Sequence, residues 1–328
     1  MIDQSFPLYL LSFVLSFIIT SVTVRLLIPV LKKAAEQPIY EEGPSWHLSK
    51  SGTPTLGGLG FLISISVTLG LASLYLYLTG KREESLSLLI TLSYGVMNSA
   101  VGIIDDGTKL KRKKNGGLTP KAKLLLQFAI ASAFLLVRWL LIPNSSSVSF
   151  SFGTYDFGIL YYPITAIILV GITNCANLTD GVDGLGSSVT FSAALSLFYL
   201  SCALSEEGSF ASAALVGGAL GFLIFNLNPA KIFMGDTGSL LFGSIIAATA
   251  VSMKNPLIAL FVGGVYVIEG LSVILQVFWY KATGKRIFKM APLHHHLEKC
   301  GWGENKICIV AMLLSFLFAI PAYIFYLP

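Results

Sequence analysis

The stretch Asn174-Cys-Ala-Asn177-Leu-Thr-Asp180-Gly-Val-Asp183-Gly184 joins two long apolar runs and is dense in amide and carboxylate groups. Its two asparagines and two aspartates recur every third residue, so neighbours in the series share one face of a helix. The glycines indicate that the helix ends or opens inside the stretch. We therefore expect four polar side chains to converge where a helix breaks at a membrane surface.

The composition indicates an all-α polytopic membrane protein. Hydrophobic residues make up 54% of the 328 residues, and only 12% are charged, against about 25% in soluble domains. A spanning helix needs about 20 mostly apolar residues. On this basis we predict ten spans, at 8–31, 55–78, 86–104, 121–142, 158–174, 185–204, 209–226, 237–253, 256–280 and 306–327.

Two kinds of connection alternate between these spans. Short or weakly charged connections lie at 79–85, 143–157, 205–208 and 252–255, and long basic ones at 32–54, 105–120, 175–184, 227–236 and 281–305. Of 22 Lys and Arg residues, 17 lie in or beside the basic set, four in the other set and one, Arg25, in the first span. The positive-inside rule then predicts cytoplasmic basic loops and both termini outside. Alternating polar and aromatic residues in 143–157 predict a small outer β-hairpin.

Three of the basic connections also carry aspartates. Asp105 and Asp106 end the third span, where unpaired charge is costly, and they point about 100° apart on a helix, so each can hold a different group. Asp236 begins another span. It is interpreted either as a helix cap or as one of a set of aspartates that offer oxygen ligands. Oxygen ligands without paired Cys or His suit Mg²⁺.

Cationic and aromatic residues flank these acids. Residues 109–123 hold seven cations, of which 111–114 are explained by membrane orientation. Lys121 and Lys123 begin a span, where a lysine can act as a point charge for phosphate. Phe233 either stacks on a base or anchors its loop in lipid. The glycine-rich entry Ser51–Gly58 is either a phosphate-binding turn or only a turn.

Three consecutive histidines, His294 to His296, lie in Ala291-Pro-Leu-His-His-His-Leu-Glu-Lys-Cys-Gly-Trp302. Zinc is one interpretation, with Cys300 four residues after His296, but consecutive histidines splay apart and no second pair exists. Contacts from imidazole to phosphate or carboxylate are the other interpretation. Glu269 is an acid deep in a span, and the sequence does not name its partner.

These features favour an anionic, phosphate-bearing substrate bound with Mg²⁺ at one membrane face. An ion-coupled carrier also uses intramembrane acids, but it would place them near the midplane. A non-catalytic lipid-binding protein would leave five aspartates in three loops unexplained.

The same stretches resemble those of the polyprenyl-phosphate N-acetylhexosamine-1-phosphate transferases. Asp105-Asp106 with Lys109, the 174–183 series and Phe233-Met-Gly-Asp236-Thr-Gly-Ser239 match superfamily motifs. The 291–302 segment matches the muramoyl-pentapeptide branch, and the N-acetylglucosamine-handling relatives differ there. Gly43-Pro-Ser-Trp-His47 and Lys50–Gly58 match as well, so the resemblance runs from about residue 40 to the end as one membrane transferase domain, 1–328.

The resemblance implies Mg²⁺-dependent transfer of phospho-N-acetylmuramoyl-pentapeptide from UDP to undecaprenyl phosphate in peptidoglycan synthesis. The products would be lipid I and UMP, and the protein would be a homodimer in the bacterial cytoplasmic membrane, bound to membrane lipid, with no nucleic-acid partner. A direct attack and a two-step route through an aspartyl-phosphate on Asp105 both remain open.

It also implies roles for individual residues. Asp236 would be the magnesium ligand, with Asp105 and Asp106 as further candidates, and the catalytic set would add His294 and His295. Substrate contacts would come from Lys50, Thr55, Lys109, Lys121, Asn174, Asn177, Asp180, Asp183, Asn226, His296 and Phe233, the last by stacking on uracil.

Overall fold

The computed structural model describes residues 5–34, 50, 52–112, 117–142 and 146–327. The motif match at Gly43–His47 lies outside the described residues. The elements in chain order are α1 (Phe6–Ala34), α2 (Gly58–Leu78), α3 (Arg82–Arg112), α4 (Pro120–Leu141), β1 (Ser147–Phe150), β2 (Gly153–Asp156), α5 (Tyr161–Thr179), α6 (Leu185–Leu204), α7 (Glu206–Asn226), α8 (Gly235–Ser252), α9 (Ile258–Val262), α10 (Gly264–Thr283), α11 (Leu293–Lys299) and α12 (Glu304–Tyr326).

The all-α membrane class is confirmed. Within the described ranges, nine helices are long and apolar enough to cross a membrane, namely α1 to α7, α10 and α12. Helices close all their backbone hydrogen bonds internally, which is why long apolar runs adopt them in lipid. The remaining predicted span, 237–253, is the helix α8, whose first turn carries Asp236, Thr237 and Ser239.

Helix α8 lies at the centre of the bundle, and every residue from Thr237 to Ser252 is buried. Glycines on α2 and α3 let these two helices pack closely against α8. A Cβ on Gly58 would overlap Gly238, and a Cβ on Gly102 would lie 2.5 Å from the backbone of Asp236. Small residues at helix contacts let backbones approach in membranes. The close approach of α3 to α8 therefore sets the position of Asp236 relative to the end of α3.

Three predicted boundaries were wrong. Helix α3 continues to Arg112, so Asp105 and Lys109 lie on a helix and not in a loop, where they form an i,i+4 ion pair. Helix α5 continues to Thr179, and so includes Asn177. The predicted span 256–280 is broken into α9 and α10 at Gly263, because adjacent glycines favour a kink.

The β-hairpin predicted for 143–157 is confirmed in the described part of that segment. Strands β1 and β2 pair antiparallel, with Ser147 opposite Asp156 and Phe150 opposite Gly153. The Ser151 N–H donates to the carbonyl of Phe325, 2.7 Å away, which ties the hairpin to the end of α12.

Candidate active site

Three carboxylates from two helices meet at one end of the bundle. Asp105 and Asp106 come from the last turns of α3, and Asp236 from the first turn of α8. One oxygen of each lies within 4.8 Å of the others. The two α3 acids are almost fully buried, and Asp236 is only partly exposed. These three residues form what we call the acid cluster.

Asp106 caps the start of α8. Its carboxylate accepts the N–H of Asp236 at 3.1 Å and both the N–H, at 3.0 Å, and the hydroxyl, at 2.8 Å, of Thr237. No side chain of the preceding residue caps this helix, so α3 supplies the acceptor that the first turn needs. Gly235, the first residue of α8, has φ +70, and a Cβ on this residue would lie 2.6 Å from Asp106 Oδ2.

Asp105 is engaged at both oxygens. Oδ1 accepts the N–H of Leu118 at 2.6 Å, and Oδ2 pairs with Lys109 Nζ at 2.6 Å. The loop before α4 packs directly on this carboxylate, since a Cβ on Gly117 would overlap Oδ1. Asp105 therefore joins the end of α3 to the start of α4.

Asp236 is surrounded by donors. Its Oδ2 lies 2.7 Å from Lys123 Nζ and 3.1 Å from Lys109 Nζ, and its Oδ1 accepts the side-chain N–H of Asn177 at 2.9 Å. Asn177 also donates to Ser239 at 2.8 Å and accepts from Lys123 at 3.1 Å. Helices α3, α4, α5 and α8 thus all contribute a polar group to one point.

The lysine that α4 contributes to the acid cluster is Lys123, whereas the resemblance assigns phosphate contact to Lys121. Residues two apart on a helix point about 200° apart, so only one of the pair can face the cluster. The Lys121 side chain is exposed. The pattern of basic residues at the start of α4 predicts a phosphate-directed lysine but does not show which face of α4 turns inward.

The donor set fits a hard divalent cation. Asp105, Asp106 and Asp236 offer only oxygen, which is what Mg²⁺ prefers, and among the described residues they form the one group of acids, histidines or cysteines close enough to share an ion. The three carboxylates carry three negative charges, and Lys109 and Lys123 carry two positive ones, so the net charge of the group is minus one. A divalent cation would turn that into one net positive charge, which suits an anionic substrate.

The 174–183 series divides between a helix and a turn. Asn174, predicted to bind substrate, donates instead to Gln127 on α4 at 2.7 Å and to the carbonyl of Val170 at 2.8 Å. Helix α5 ends at Thr179, so the two aspartates lie in the turn beyond it. The expected end of the helix inside the stretch is confirmed, but the four side chains do not share one partner.

Asp180 lies in this turn. Burial is the largest cause that raises its pKa, to about 8, followed by the negative charges of Asp236, Asp106 and Asp183. Its side chain packs on Gly186, where a Cβ would lie 2.7 Å from Oδ1. The negative charges of the acid cluster therefore act on Asp180, and a cation bound at the cluster would oppose their effect on the Asp180 pKa.

Asp183 links three segments. Its Oδ1 pairs with Lys50 Nζ at 2.7 Å, and its Oδ2 accepts from the Asn228 side chain at 3.2 Å and the Ala230 N–H at 2.9 Å. Glu304 accepts the Asp183 N–H and pairs with Lys50, both at 2.7 Å. Burial opposes the lysine charge, but these hydrogen bonds outweigh it and raise the pKa of Lys50. The site residues Lys50 and Asp183 therefore bind each other.

One further predicted contact residue, Asn226, is already hydrogen-bonded within the protein. Asn226 is buried, accepts from Ser187 at 2.9 Å and donates to the carbonyl of Ile232 at 3.0 Å. This geometry positions the 227–236 loop, and the nucleoside contact of Asn226 stays a prediction.

Residues 52–58, the described part of the Ser51–Gly58 entry, pair with the loop before α8. The N–H groups of Gly57 and Gly58 donate to the carbonyls of Phe233 and Met234, each at 2.9 Å, so these two donors do not face phosphate as the phosphate-binding interpretation required. Thr55 is buried beside Gly235, and the Phe233 ring is half-buried. Base stacking by Phe233 stays a prediction.

The three histidines contact three different partners. His294 is buried, and its Nδ1 lies 3.2 Å from a carboxylate oxygen of Glu269 on α10. His295 Nδ1 lies 2.6 Å from Glu298, one turn along α11. His296 Nδ1 accepts the Lys289 N–H at 3.1 Å. Among the described residues these histidines belong to no group of three or more side chains close enough to share an ion, which favours the phosphate or carboxylate interpretation over a zinc site. Glu269, unassigned by the sequence, has its partner here.

Comparison with known proteins places the chain in a family. The model of glycosyl transferase family 4 matches residues 88–254. The phospho-N-acetylmuramoyl-pentapeptide-transferase of Halalkalibacterium halodurans is 44% identical over 317 residues, which are 95% of this chain and 96% of that protein.

Two further relatives carry the same name. That of Desulforamulus reducens is 42% identical over 93% of this chain and 92% of its own length, and that of Bacillus thuringiensis is 42% identical over 93% and 94%. These matches cover every element that builds the acid cluster. The chain therefore belongs to glycosyl transferase family 4 and, within it, to the phospho-N-acetylmuramoyl-pentapeptide transferases.

Proposed function

We propose that this protein transfers phospho-N-acetylmuramoyl-pentapeptide from UDP to undecaprenyl phosphate, giving lipid I and UMP. The relatives' names supply the transferred group, phospho-N-acetylmuramoyl-pentapeptide. The observation that carries the proposal is the acid cluster, where Asp236 contacts both Lys109 and Lys123 at the end of the helix bundle. Carboxylates that can hold a cation, beside lysines that can face phosphate, are the groups that phosphoryl transfer needs.

The protein's own residues would act mainly by offsetting the negative charges of the two phosphorylated substrates. An oxygen of the lipid phosphate is already anionic at neutral pH, because the second pKa of a phosphate monoester is about 6. Removing a proton is therefore less important than offsetting repulsion between two phosphorylated molecules. Lys109 and Lys123 are placed to do so, and Asn177 holds Asp236 in orientation. Bound Mg²⁺ would supply further charge neutralisation and orient the diphosphate.

The contacts of Asp105 favour direct in-line attack over a covalent intermediate. Both of its oxygens are occupied, one by the Leu118 N–H and one by Lys109. Both contacts draw electron density from the carboxylate oxygens and so weaken Asp105 as a nucleophile towards phosphorus. We assign Asp105 to positioning Lys109 and the loop before α4.

We further propose that the site faces the cytoplasm, that both termini lie outside and that the protein lies in the bacterial inner membrane as a homodimer of one transferase domain, 1–328. The orientation is supported by the sequence, in which the basic connections that carry Asp105, Asp106 and Asp236, together with the other connections of that set, hold or flank 17 of the 22 Lys and Arg residues. The donor is a soluble nucleotide, and it would meet the lipid phosphate at this face.

Purified protein in detergent, given Mg²⁺ and undecaprenyl phosphate, tests the reaction. UDP-N-acetylmuramoyl-pentapeptide and UDP-N-acetylglucosamine are supplied side by side, and UMP release is measured. We expect release with the first donor only. Release with the second donor alone would assign the protein to N-acetylglucosamine-1-phosphate transfer. No release with either donor, together with ion-coupled uptake in sealed vesicles, would point to a carrier.

A further inference from the structure

Glu269 is a buried acid in the second turn of the membrane helix α10, and its carboxylate hydrogen-bonds to His294. It lies on α10 and is 6% exposed. Its two oxygens accept the backbone N–H of His294 at 3.2 and 3.3 Å, and one of them lies 3.2 Å from the imidazole Nδ1 of the same residue. One carboxylate thus holds both the backbone and the ring of His294 at the start of α11.

This contact determines which ring nitrogen remains for a ligand. A carboxylate oxygen can only accept, so Nδ1 must carry the hydrogen that lies between them. The ring then has one orientation, with Nε2 directed away from α10. A histidine that donates one N–H to a carboxylate presents its other nitrogen with a defined tautomer and direction.

Nε2 faces the turn that follows α5. The atom is buried and has no hydrogen-bond partner among the described residues. A Cβ on Gly181 would overlap it, so the ring lies directly against the turn between Asn177, which contacts the acid cluster, and Asp183. A buried ring nitrogen without a partner costs free energy unless a ligand satisfies it.

We propose that Glu269 is a positioning residue for the transfer reaction. It holds His294 through Nδ1 so that Nε2 forms a hydrogen bond with an oxygen of the phosphorylated substrate. Glu269 touches neither substrate nor the acid cluster and acts only through His294. This inference rests on the proposed function, because the ligand of Nε2 is a group of its substrate.

Four variants test the inference by UMP release. Glu269→Ala and His294→Ala should each lower kcat about 10- to 100-fold, the range seen when the partner that orients a functional histidine is lost. Glu269→Gln keeps an acceptor oxygen for Nδ1 and should recover most of the activity. The double variant should be no slower than His294→Ala alone, since the two residues act as one unit.

Ser272→Ala is the matched control. Ser272 is buried one turn along α10 and donates only to the backbone carbonyl of Glu269, so this variant should keep wild-type turnover. A double variant slower than His294→Ala by the full factor of Glu269→Ala would overturn the inference, as would wild-type turnover by Glu269→Ala. Wild-type protein that releases no UMP would instead overturn the proposed function.

Discussion

Lys123 Nζ lies 2.7 Å from Asp236 Oδ2, although 113 residues separate the two in the chain. The ion pair joins the start of α4 to the start of α8, and Asn177 of α5 bonds both partners. The start of α4 and the start of α8 both present the positive end of a helix dipole at this point. Anionic groups, whether carboxylate or phosphate, are stabilised there.

Lys123→Gln should therefore damage turnover more than Lys121→Gln. The first substitution removes an ammonium group from the acid cluster, and we expect a loss of kcat on the order of 100-fold, as when one donor that stabilises developing charge is deleted. Lys121 is exposed, two residues away on the same helix. UMP release by the two variants is the measurement. Greater damage from Lys121→Gln would restore the assignment that the resemblance implies.

Gly181→Ala should destabilise the protein and lower its activity together. The added methyl would overlap His294 Nε2, and the ring cannot move aside freely because Glu269 holds it. Overpacking of this kind costs about 1–3 kcal/mol. Gly171→Ala on α5 is the control, since a Cβ there meets nothing within 4 Å. Thermal unfolding of both variants in detergent gives the comparison, and equal stability of the two would contradict the placement of the ring.

Asp106→Ala should reduce stability as well as activity. The substitution removes the acceptor for the first N–H groups of α8 and for the Thr237 hydroxyl. Loss of a helix cap costs about 0.5–2 kcal/mol. Glu83→Ala, at an exposed position in the first turn of α3, should change the free energy of unfolding by less than about 0.5 kcal/mol. An unfolding midpoint for Asp106→Ala as high as for Glu83→Ala would exclude the capping role.

Cysteine labelling in intact cells tests the orientation. Thr154→Cys lies in the exposed hairpin strand β2, and Lys285→Cys lies in the exposed segment after α10. In a background with Cys202 and Cys300 replaced by serine, a membrane-impermeant maleimide should label the first cysteine at once. The second should react only after permeabilisation. The reverse order would invert the topology that the basic residues predict.

The sequence predicts the class of fold because membrane helices are local. Each span is a contiguous apolar run, and the spacing of lysines and arginines records which side each connection occupies. The hairpin was also predictable, since β1 and β2 are adjacent in sequence and alternate polar with aromatic residues. Helix ends were less accurate, because polar residues continue α3 and α5 beyond their apolar runs.

Partners of individual site residues were not predictable, because they depend on how distant helices pack. Nothing near Asn174 in the sequence indicates Gln127 as its partner, and nothing near Glu269 indicates His294. The choice between Lys121 and Lys123 likewise depends on the rotation of α4. The residue types that carry the chemistry were visible in the sequence, whereas the contacts that orient them required the tertiary structure.

Our main proposal is that Asp236 would help to hold a divalent cation beside the phosphate groups of the two substrates. Its most direct test is UMP release by Asp236→Asn as Mg²⁺ is increased, beside wild-type protein and with unfolding temperatures checked for both. We expect saturable activation by Mg²⁺ in the wild type. We expect no turnover at any Mg²⁺ concentration in a folded Asp236→Asn variant. Normal Mg²⁺-dependent release by that variant would contradict this proposal.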